Sequence, residues 1–594
     1  MKRLWLAVLL LRASVLWAAP AFELEIQAPD EIRQLLAQHL ELQRYREMTD
    51  LGDAELDRLL GQARQDAYKL VATLGYFSPE IVLERLPVRT DAPGQMVRIK
   101  VNPGATTTIR KVTIDFRGAI ATDAAATAQM QLIQVSWSLP AGSRFTQSAW
   151  DAAKQLALRQ LTAQRYPTGR IEAALADIDP EAQLADLALT LDSGAAYRMG
   201  QLLVSGSSRY DAALVQRLAR LTAGDDYDQT QLLAAQQRLA ESGYFDSAYF
   251  LLDTAGDPLA APVLVTLREA KLQKVVFGVG ASTDGGPRVS VEHTHHKVPG
   301  IDWRAVSTLL LDRETRAIGT ELTAPPDNSN WRWVTSGLLQ NQRLGSADVT
   351  SQRLRFGRNQ TGDRIDRTVY LQYDRADTVS SDAVQPESAQ SVSANYAFTM
   401  RHFDHMPFPS SGWGFGLEVG GGSTLGTQRD AYARVLTRLH GLWPLGTSTS
   451  EDRSFGSGRI AWRAAAGAVI AKEGISLPSS QLFLTGGDNS VRGYGLRVIG
   501  ITLADGQTTA GRYLGVGSIE WQRPIRIDGR HSDWESTLFM DAGAVADKPS
   551  DLQAQVGIGA GVRWNSPVGP LQIDLAYGIA VQRLRLHLNV GFTF

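Results

Sequence analysis

Arg492 stands in the segment Gly486-Gly487-Asp488-Asn489-Ser490-Val491-Arg492-Gly493-Tyr494-Gly495, a turn dense in glycine with one aromatic beside the cation. Glycine lets backbones approach closely and adopt positive φ, so such a turn can enter a confined space. A charge carried into that space requires a carboxylate, because an unpaired buried ion is expensive. The chemistry expected of this segment is therefore charge pairing rather than catalysis. Spacing supplies the partner. On a strand through Thr537–Val545, Phe539, Asp541 and Gly543 share one face, while Leu538, Met540, Ala542 and Ala544 share the other. If the second face meets lipid, Asp541 points inward, where Arg492 arrives. A charge-assisted hydrogen bond of this kind contributes about 1.5–3 kcal/mol. Phe539 is placed to pack on the glycines or on Tyr494, and Glu520 is a second candidate acceptor. The expected loop latch is thus Val491, Arg492, Gly493, Tyr494, Phe539, Asp541, Gly543 and Glu520. A static brace and a moving switch fit these residues equally well.

Other constellations carry less chemistry. His293 and His295 share a strand face but have no third ligand nearby, so they read as a polar strand end, and no metal is expected. Gly278-x-Gly280 and Gly557-x-Gly559-x-Gly561 open no helix and complete no phosphate-loop pattern. None of the nine histidines sits in a hydrolase motif. The expectation is a non-enzyme without cofactors. Net charge is −2, which gives no support for a nucleic-acid partner, and the absence of cysteine excludes disulfides and cysteine-ligated metals.

The elements that must hold the latch are strands. In the terminal segment Leu584, Leu586, Leu588, Val590, Phe592 and Phe594 fall on one face, and Arg583, Arg585, His587, Asn589, Gly591 and Thr593 on the other. One such strand also suits a soluble sandwich, but the pattern recurs. Val275, Phe277, Val279 and Ala281 alternate with Val276, Gly278, Gly280 and Ser282, and Val556–Trp564 and Leu571–Tyr577 behave alike. Small or polar residues on one face and aliphatic or aromatic residues on the other mark a transmembrane β-barrel, closed because lipid offers nothing to a sheet edge. Trp331, Trp333, Trp413, Trp462, Trp521 and Trp564 are expected in its interfacial girdles. Lys2 and Arg3, the apolar run Leu4–Leu11 and Ala19-Pro20-Ala21 suggest a secretory signal over residues 1–21. No apolar run long enough for a helical span follows. A Gram-negative-type outer membrane fits best.

The 594 residues exceed one core, and the chain changes character near Glu269–Lys274. Before that point helical periodicity over Pro29–Leu40, Asp53–Leu74, Gln147–Ala163, Asp211–Leu221 and Thr230–Ser242 alternates with short strand candidates. Leu74-Gly75-Tyr76-Phe77, Arg165-Tyr166-Pro167 and Ser242-Gly243-Tyr244-Phe245 each follow a helix and begin a strand. They mark three β-α-α-β-β units of roughly 80–90 residues. The expected domains are residues 22–104, 105–195 and 196–269, then a barrel over 270–594. At roughly 10 residues per membrane strand plus turns, that region suits about 16 strands.

This organisation resembles the superfamily of outer-membrane assembly and secretion barrels that includes BamA, TamA and the two-partner-secretion transporters. Val491-Arg492-Gly493-Tyr494 resembles its VRG(F/Y) loop motif, Phe539-Met540-Asp541-Ala542-Gly543 its F-x-D-x-G strand motif, and Gly557–Trp564 with Ser566-Pro567-Val568-Gly569-Pro570 its last strands. The β-α-α-β-β units look like POTRA domains. Three of them are most similar to the TamA branch, although Arg165-Tyr166-Pro167 departs from Gly-Tyr-Phe. The resemblance implies periplasmic POTRA domains, a TamB-like inner-membrane-anchored periplasmic partner, unfolded autotransporter-like and other outer-membrane protein clients, and contact with outer-membrane lipid. It also implies a lateral gate between first and last barrel strands, at Val275, Phe277, Gly278, Gly280, Leu588, Val590, Gly591, Phe592 and Phe594. Inward glycines should weaken that seam. The alternatives are a BamA-like general insertase and a secretion pore of the two-partner type. An inserted loop speaks against an open diffusion pore.

Overall fold

Alternation and helical periodicity resolve, in a computed structural model, into small mixed domains and a barrel. The structure describes residues 22–46, 48, 51–86, 95–379, 387–404, 409–426, 428–446, 458–527, 530–566 and 569–590. The expected signal segment, and Gly591, Phe592 and Phe594 of the expected gate, lie outside these residues.

Three β-α-α-β-β units come first. They comprise β1 (Phe22–Gln27), α1 (Asp30–His39), α2 (Asp53–Thr73), β2 (Glu80–Leu86) and β3 (Gln95–Asn102), then β4 (Thr108–Arg117), α3 (Thr127–Val135), α4 (Gln147–Thr162), β5 (Arg170–Asp179) and β6 (Leu184–Asp192). The third is β7 (Met199–Ser205), α5 (Ala212–Ala219), α6 (Gln229–Glu241), β8 (Phe245–Leu252) and β9 (Ala261–Glu269). The sheet orders are β1-β3-β2, β4-β6-β5 and β7-β9-β8, so the last strand of each unit always lies in the middle, parallel to the first. Each central strand is the one that alternates most cleanly. Leu187, Leu189 and Leu191 of β6 and Val263, Val265 and Leu267 of β9 are all buried under the helices. Helix starts follow ordinary capping, with Thr146 accepting from Ala149 N and Asp211 from Leu214 N.

The middle unit explains its own departure from the repeat. Gly75 and Gly243 precede their tyrosines at φ +87° and +78°, and Arg165 takes the same left-handed conformation at φ 59°. A side chain there is strained. Arg165 is held in place by Asp123 at 2.6 Å and Asp226 at 2.5 Å, and Tyr166 behind it is fully buried.

The barrel strands are β10 (Gln273–Ser282), β11 (Gly286–His295), β12 (Arg304–Leu311), β13 (Thr315–Thr323), β14 (Trp331–Leu344), β15 (Ala347–Thr361), β16 (Ile365–Val379), β17 (Glu387–Phe403), β18 (Gly412–Thr424), β19 (Ala431–Pro444) and β20 (Arg459–Ala471). A long loop follows, containing the two-residue ladder β21 (Ile501–Thr502) and β22 (Thr508–Thr509). The wall resumes with β23 (Tyr513–Ile527), β24 (Arg530–Ala546), β25 (Gln555–Ser566), β26 (Gly569–Gly578) and β27 (Arg583–Val590). Apart from β21 and β22, the strands from β10 to β27 close a 16-stranded antiparallel barrel in chain order. Pairing fixes the faces. Phe277 lies opposite Val291, which lies opposite Leu309, and this row continues outward through Ile318 and Leu339. The outer face is broadly apolar and uncovered by protein, with Phe277 75% and Val279 84% exposed, as a lipid-facing surface requires. Trp333 stacks on Phe356 and Trp534 on Trp564 on this outer face.

Compactness divides the chain into two units. One runs to Ser205 and takes in Leu221–Gln236 and Tyr249–Thr266; the other holds Gly206–Arg220, Gln237–Ala248 and everything from Leu267. Within the second unit Glu269 accepts from the backbone N–H groups of Ser208 and Arg209 and pairs with the Arg209 guanidinium at 2.7 Å, while Lys297 donates to the Arg209 carbonyl.

Candidate functional site: the lumen latch and the seam

Period-two alternation puts Ser518 and Glu520 of β23, Phe539, Asp541 and Gly543 of β24, Gly557, Gly559, Gly561 and Arg563 of β25, and Asp574 of β26 on the lumen wall. The loop between β20 and β23 enters this space and delivers Arg492, which is 2% exposed. Its Nε and Nη2 donate to the two Asp541 oxygens at 2.7 and 3.0 Å, and its backbone N–H donates to the same carboxylate at 3.0 Å. Nη1 is shared between Glu520 and Asp574, each at 2.9 Å. The guanidinium carbon lies 3.3 Å from the centroid of the Phe539 ring, a close cation–π contact.

Three buried carboxylates around one arginine would repel each other. Arg563 offsets this by bridging Glu520 and Asp574, and Arg463 approaches Asp541 at 3.8 Å while donating to the Ser490 carbonyl. The cluster therefore matches three guanidinium groups to three carboxylates, the condition under which buried charge is tolerated. Ser518 supplies a further hydrogen bond to Asp541 at 2.6 Å.

The glycines of β25 are what let the loop reach the wall. A Cβ on Gly557 would lie 1.9 Å from the Arg492 carbonyl oxygen, and one on Gly561 1.8 Å from Asp574 Oδ1. Val491 is buried against Gly543, and Tyr494 is 4% exposed, its hydroxyl donating to the Val556 carbonyl at 3.2 Å. The structure thus brings the eight expected latch residues into one site. It adds Asp574, Arg563, Arg463 and Ser518. The period-two pattern of β25 and β26 already gave Arg563 and Asp574 a lumen-facing position, but only the three-dimensional closure brings them to Arg492.

The same loop also grips the seam. Among the described residues β27 meets β10 only through Ala281↔Val590 and Ser282↔Asn589, extended by Thr283 N donating to the Leu588 carbonyl at 3.1 Å. Val275, Phe277, Gly278 and Gly280 pair with β11. Of the expected gate residues, Leu588 and Val590 take part in the described seam. Just beyond it lies Asp284, in the β10–β11 turn. Asp284 accepts from the Asp488 backbone N–H at 2.7 Å and from Arg585 of β27 at 3.3 Å. Asp488 bonds His587 Nδ1, and His587 Nε2 accepts the Gly493 N–H at 2.8 Å. Asp284, Asp488 and His587 lie close enough together to hold an ion, but both imidazole nitrogens are engaged within the protein and Arg585 already supplies a cation to Asp284. The cluster reads as a clasp.

Comparison with known proteins agrees with this architecture. Residues 307–594 match the Omp85 superfamily domain, and residues 197–251 match the POTRA model described as a surface antigen variable number repeat. The chain is similar to outer membrane protein assembly factor BamA of Neorickettsia risticii, 23% identical over 424 residues, covering 66% of this chain and 54% of that protein. It is also similar to chloroplastic outer envelope protein 80 of Arabidopsis thaliana, 30% identical over 147 residues, covering 23% of this chain and 18% of that protein. The chain thus spans about half the length of one relative and a smaller part of the other. The crystal structure of Haemophilus ducreyi BamA lacking POTRA domains 1–3 superposes with a TM-score of 0.59 at 16% identity, covering 82% of this chain and 100% of that one, a likeness of fold. Such a barrel sits in the bacterial outer membrane with its POTRA domains in the periplasm. Residues 307–594 thus have the fold of an Omp85 superfamily barrel, and POTRA architecture precedes them.

Proposed function

We propose that this protein is an assembly factor of the TamA type, which inserts or translocates autotransporter-like and other β-barrel clients through the β10–β27 seam. In this reading a TamB-like, inner-membrane-anchored partner engages the POTRA domains. The observation that carries the reading is that, among the described strands, every other neighbouring pair of the wall follows in chain order, whereas β10 and β27 are far apart in sequence and joined only by non-covalent contacts. Backbone hydrogen bonds are what close a barrel in lipid, and at this seam no connecting loop backs them, so it is the least costly place to open it. An opened seam presents two strand edges, which template an incoming strand by augmentation. The loop inside the barrel supports assembly over passive diffusion, since Arg492 and its carboxylates tie it to the lumen wall where a channel would need open space.

The native chain has no cysteine, so a single engineered pair reports cleanly. Ala281→Cys with Val590→Cys joins residues that face each other across the seam. Oxidation is expected to stop client insertion into proteoliposomes, and reduction to restore it. Undiminished insertion with the seam covalently closed would rule out the lateral route. Affinity purification from envelope extracts tests the partner: recovery of a periplasm-spanning protein through the POTRA region is expected, and recovery of only BamA-type accessory lipoproteins would reassign the chain to the general insertase.

A further inference from the structure

A second group of arginines lies in the unit that holds the barrel, and among the described residues the two at its centre, Arg304 and Arg332, have no carboxylate partners like those that balance the latch. Arg304 is the first residue of β12 and Arg332 the second of β14. Arg304 pairs with Thr323 and Thr323 with Val334, so Arg304 and Arg332 project from the same lumen face two strands apart. Neither makes an ion pair or hydrogen bond among the described residues, and the Nε of each is buried without a partner. Arg304 Nη1 lies 3.1 Å from where a Cβ on Gly243 would stand, beside His296, so the group abuts the Gly-Tyr-Phe turn before β8. Tyr244 of that turn feels both Arg304 and Arg332, and Arg332 feels Arg220 as well as Arg304.

Arg220 and Arg238 complete the cluster. Arg238 donates to the Ala219 carbonyl at 2.6 Å and has its own Nε buried and unpartnered. Burial, and then the charge of Arg220, pull the Arg238 guanidinium below its ordinary value. The carboxylates at hand do not neutralise the group. Asp363 reaches only Arg220, at 3.8 Å with its side chain 75% exposed, and Glu321 lines the lumen beside Arg304 outside ion-pair distance. Arg220 also donates to the Thr361 carbonyl at 3.1 Å. Leaving Arg304 and Arg332 half-buried and unpaired beside two further guanidinium groups is costly, and an anion from outside would remove that cost. From Arg304 a cavity of about 430 Å³ continues along the lumen, lined in part by Val306, Leu310 and Leu338.

We infer that Arg304 and Arg332, supported by Arg220 and Arg238, bind a phosphate group at the end of the barrel that abuts the Gly243–Phe245 turn. Planar guanidinium forks suit phosphate oxygens, and the adjoining apolar stripe suits an acyl chain, so a lipid headgroup and a free phosphate are the two sources of the same chemistry. The test uses the full folded chain in non-ionic detergent, titrated calorimetrically with inorganic phosphate and separately with dihexanoyl-phosphatidylglycerol. Saturable binding is expected, weakened at least tenfold by the Arg304→Gln/Arg332→Gln double variant and less by the lysine double variant, which keeps charge but loses the fork. Arg367→Gln, at an exposed hydrogen bond to Gln360, should change nothing. Tighter binding of the lipid identifies a headgroup site, and equal or tighter binding of inorganic phosphate identifies a free-anion site. Wild-type affinity in the glutamine variant, verified as folded by its heat-modifiable gel mobility, overturns the inference, as does failure of both ligands to bind.

Discussion

His587 Nε2, in the last barrel strand, accepts the backbone N–H of Gly493 at 2.8 Å, while the neighbouring Arg492 is held on Asp541 of the wall. Two consecutive loop residues are therefore tied to different parts of the barrel, one to the seam strand and one to β24. Because Nε2 accepts, the ring proton sits on Nδ1 and is donated to Asp488, which binds the β10–β11 turn through Asp284. First strand, last strand and loop form one connected hydrogen-bond chain, so a seam that parts must either release the loop or drag it.

That connection makes the clasp separable from the latch by mutation. His587→Ala leaves the buried Gly493 N–H without an acceptor, a loss of about 1–3 kcal/mol. Arg492→Ala strands Asp541, Glu520 and Asp574 around a missing cation, a loss of about 3–5 kcal/mol. Both should lower the temperature at which the folded, fast-migrating gel form disappears, Arg492→Ala the more. Only His587→Ala should raise the rate at which the oxidisable Ala281/Val590 cysteine pair opens under reductant without changing how Arg563 holds Glu520 and Asp574. Equal opening rates in wild type and His587→Ala would separate the loop from the seam.

Glycine placement offers a second test. At Gly557 a methyl group would meet the Arg492 carbonyl oxygen at 1.9 Å, whereas at Gly515 nothing lies within 4 Å. Gly557→Ala should push the loop off the wall and destabilise by about 1–3 kcal/mol, as overpacking generally does. Gly515→Ala should stay near wild type. Conductance in planar bilayers reads the same event, with frequent openings expected for Gly557→Ala and few for Gly515→Ala.

The strand period made part of this site legible. Once Leu538 and Met540 are assigned to lipid, Asp541 must face the lumen, and the same parity places Glu520 and Asp574 there. Which inward carboxylate meets Arg492 does not follow from parity, and the answer is that three do. The stagger of the seam was not legible for a different reason. The pairing of Ala281 with Val590 and of Ser282 with Asn589 is set by barrel closure and shear, which no side-chain period encodes. Asp284 carried no signal because it sits in a hairpin turn whose partner lies over 200 residues away. The helix α3 does not show as periodicity, because Thr127–Val135 buries only Gln129 and Ile133, too narrow a stripe.

Arg165 tests the reading of the POTRA repeat. It holds a left-handed conformation that glycine adopts freely, and Asp123 and Asp226 compensate. Arg165→Gly and Arg165→Ala both lose the two ion pairs, but only alanine keeps the backbone strain. The glycine variant should therefore be the more stable of the two by about 1 kcal/mol. Chemical denaturation of the soluble POTRA region fused to its native barrel, followed by proteolysis at the middle unit, measures the difference. Identical stability would mean that φ at this position is relaxed when the arginine is absent.

The Glu269 carboxylate gives the link between the third POTRA unit and the barrel a pH dependence whose sign can be worked out. Burial pushes this carboxyl up, but hydrogen bonds from the Arg209 side chain and from the Arg209 and Ser208 backbone N–H groups outweigh it and bring it down to about 2. The ordinary glutamate value is 4.5. A depressed folded value means that the stabilisation is fully present above that ordinary value and is lost as pH falls from there through about 2. Hydrogen exchange at Ser208 and Arg209, corrected for the intrinsic pH dependence, should show protection falling across this window. Glu269→Gln should show low protection already at pH 6, with little further change on acidification. Protection in the wild type that is flat from pH 6 to 2 would mean that Arg209, held also by Lys297 at its carbonyl, keeps this link without the carboxylate.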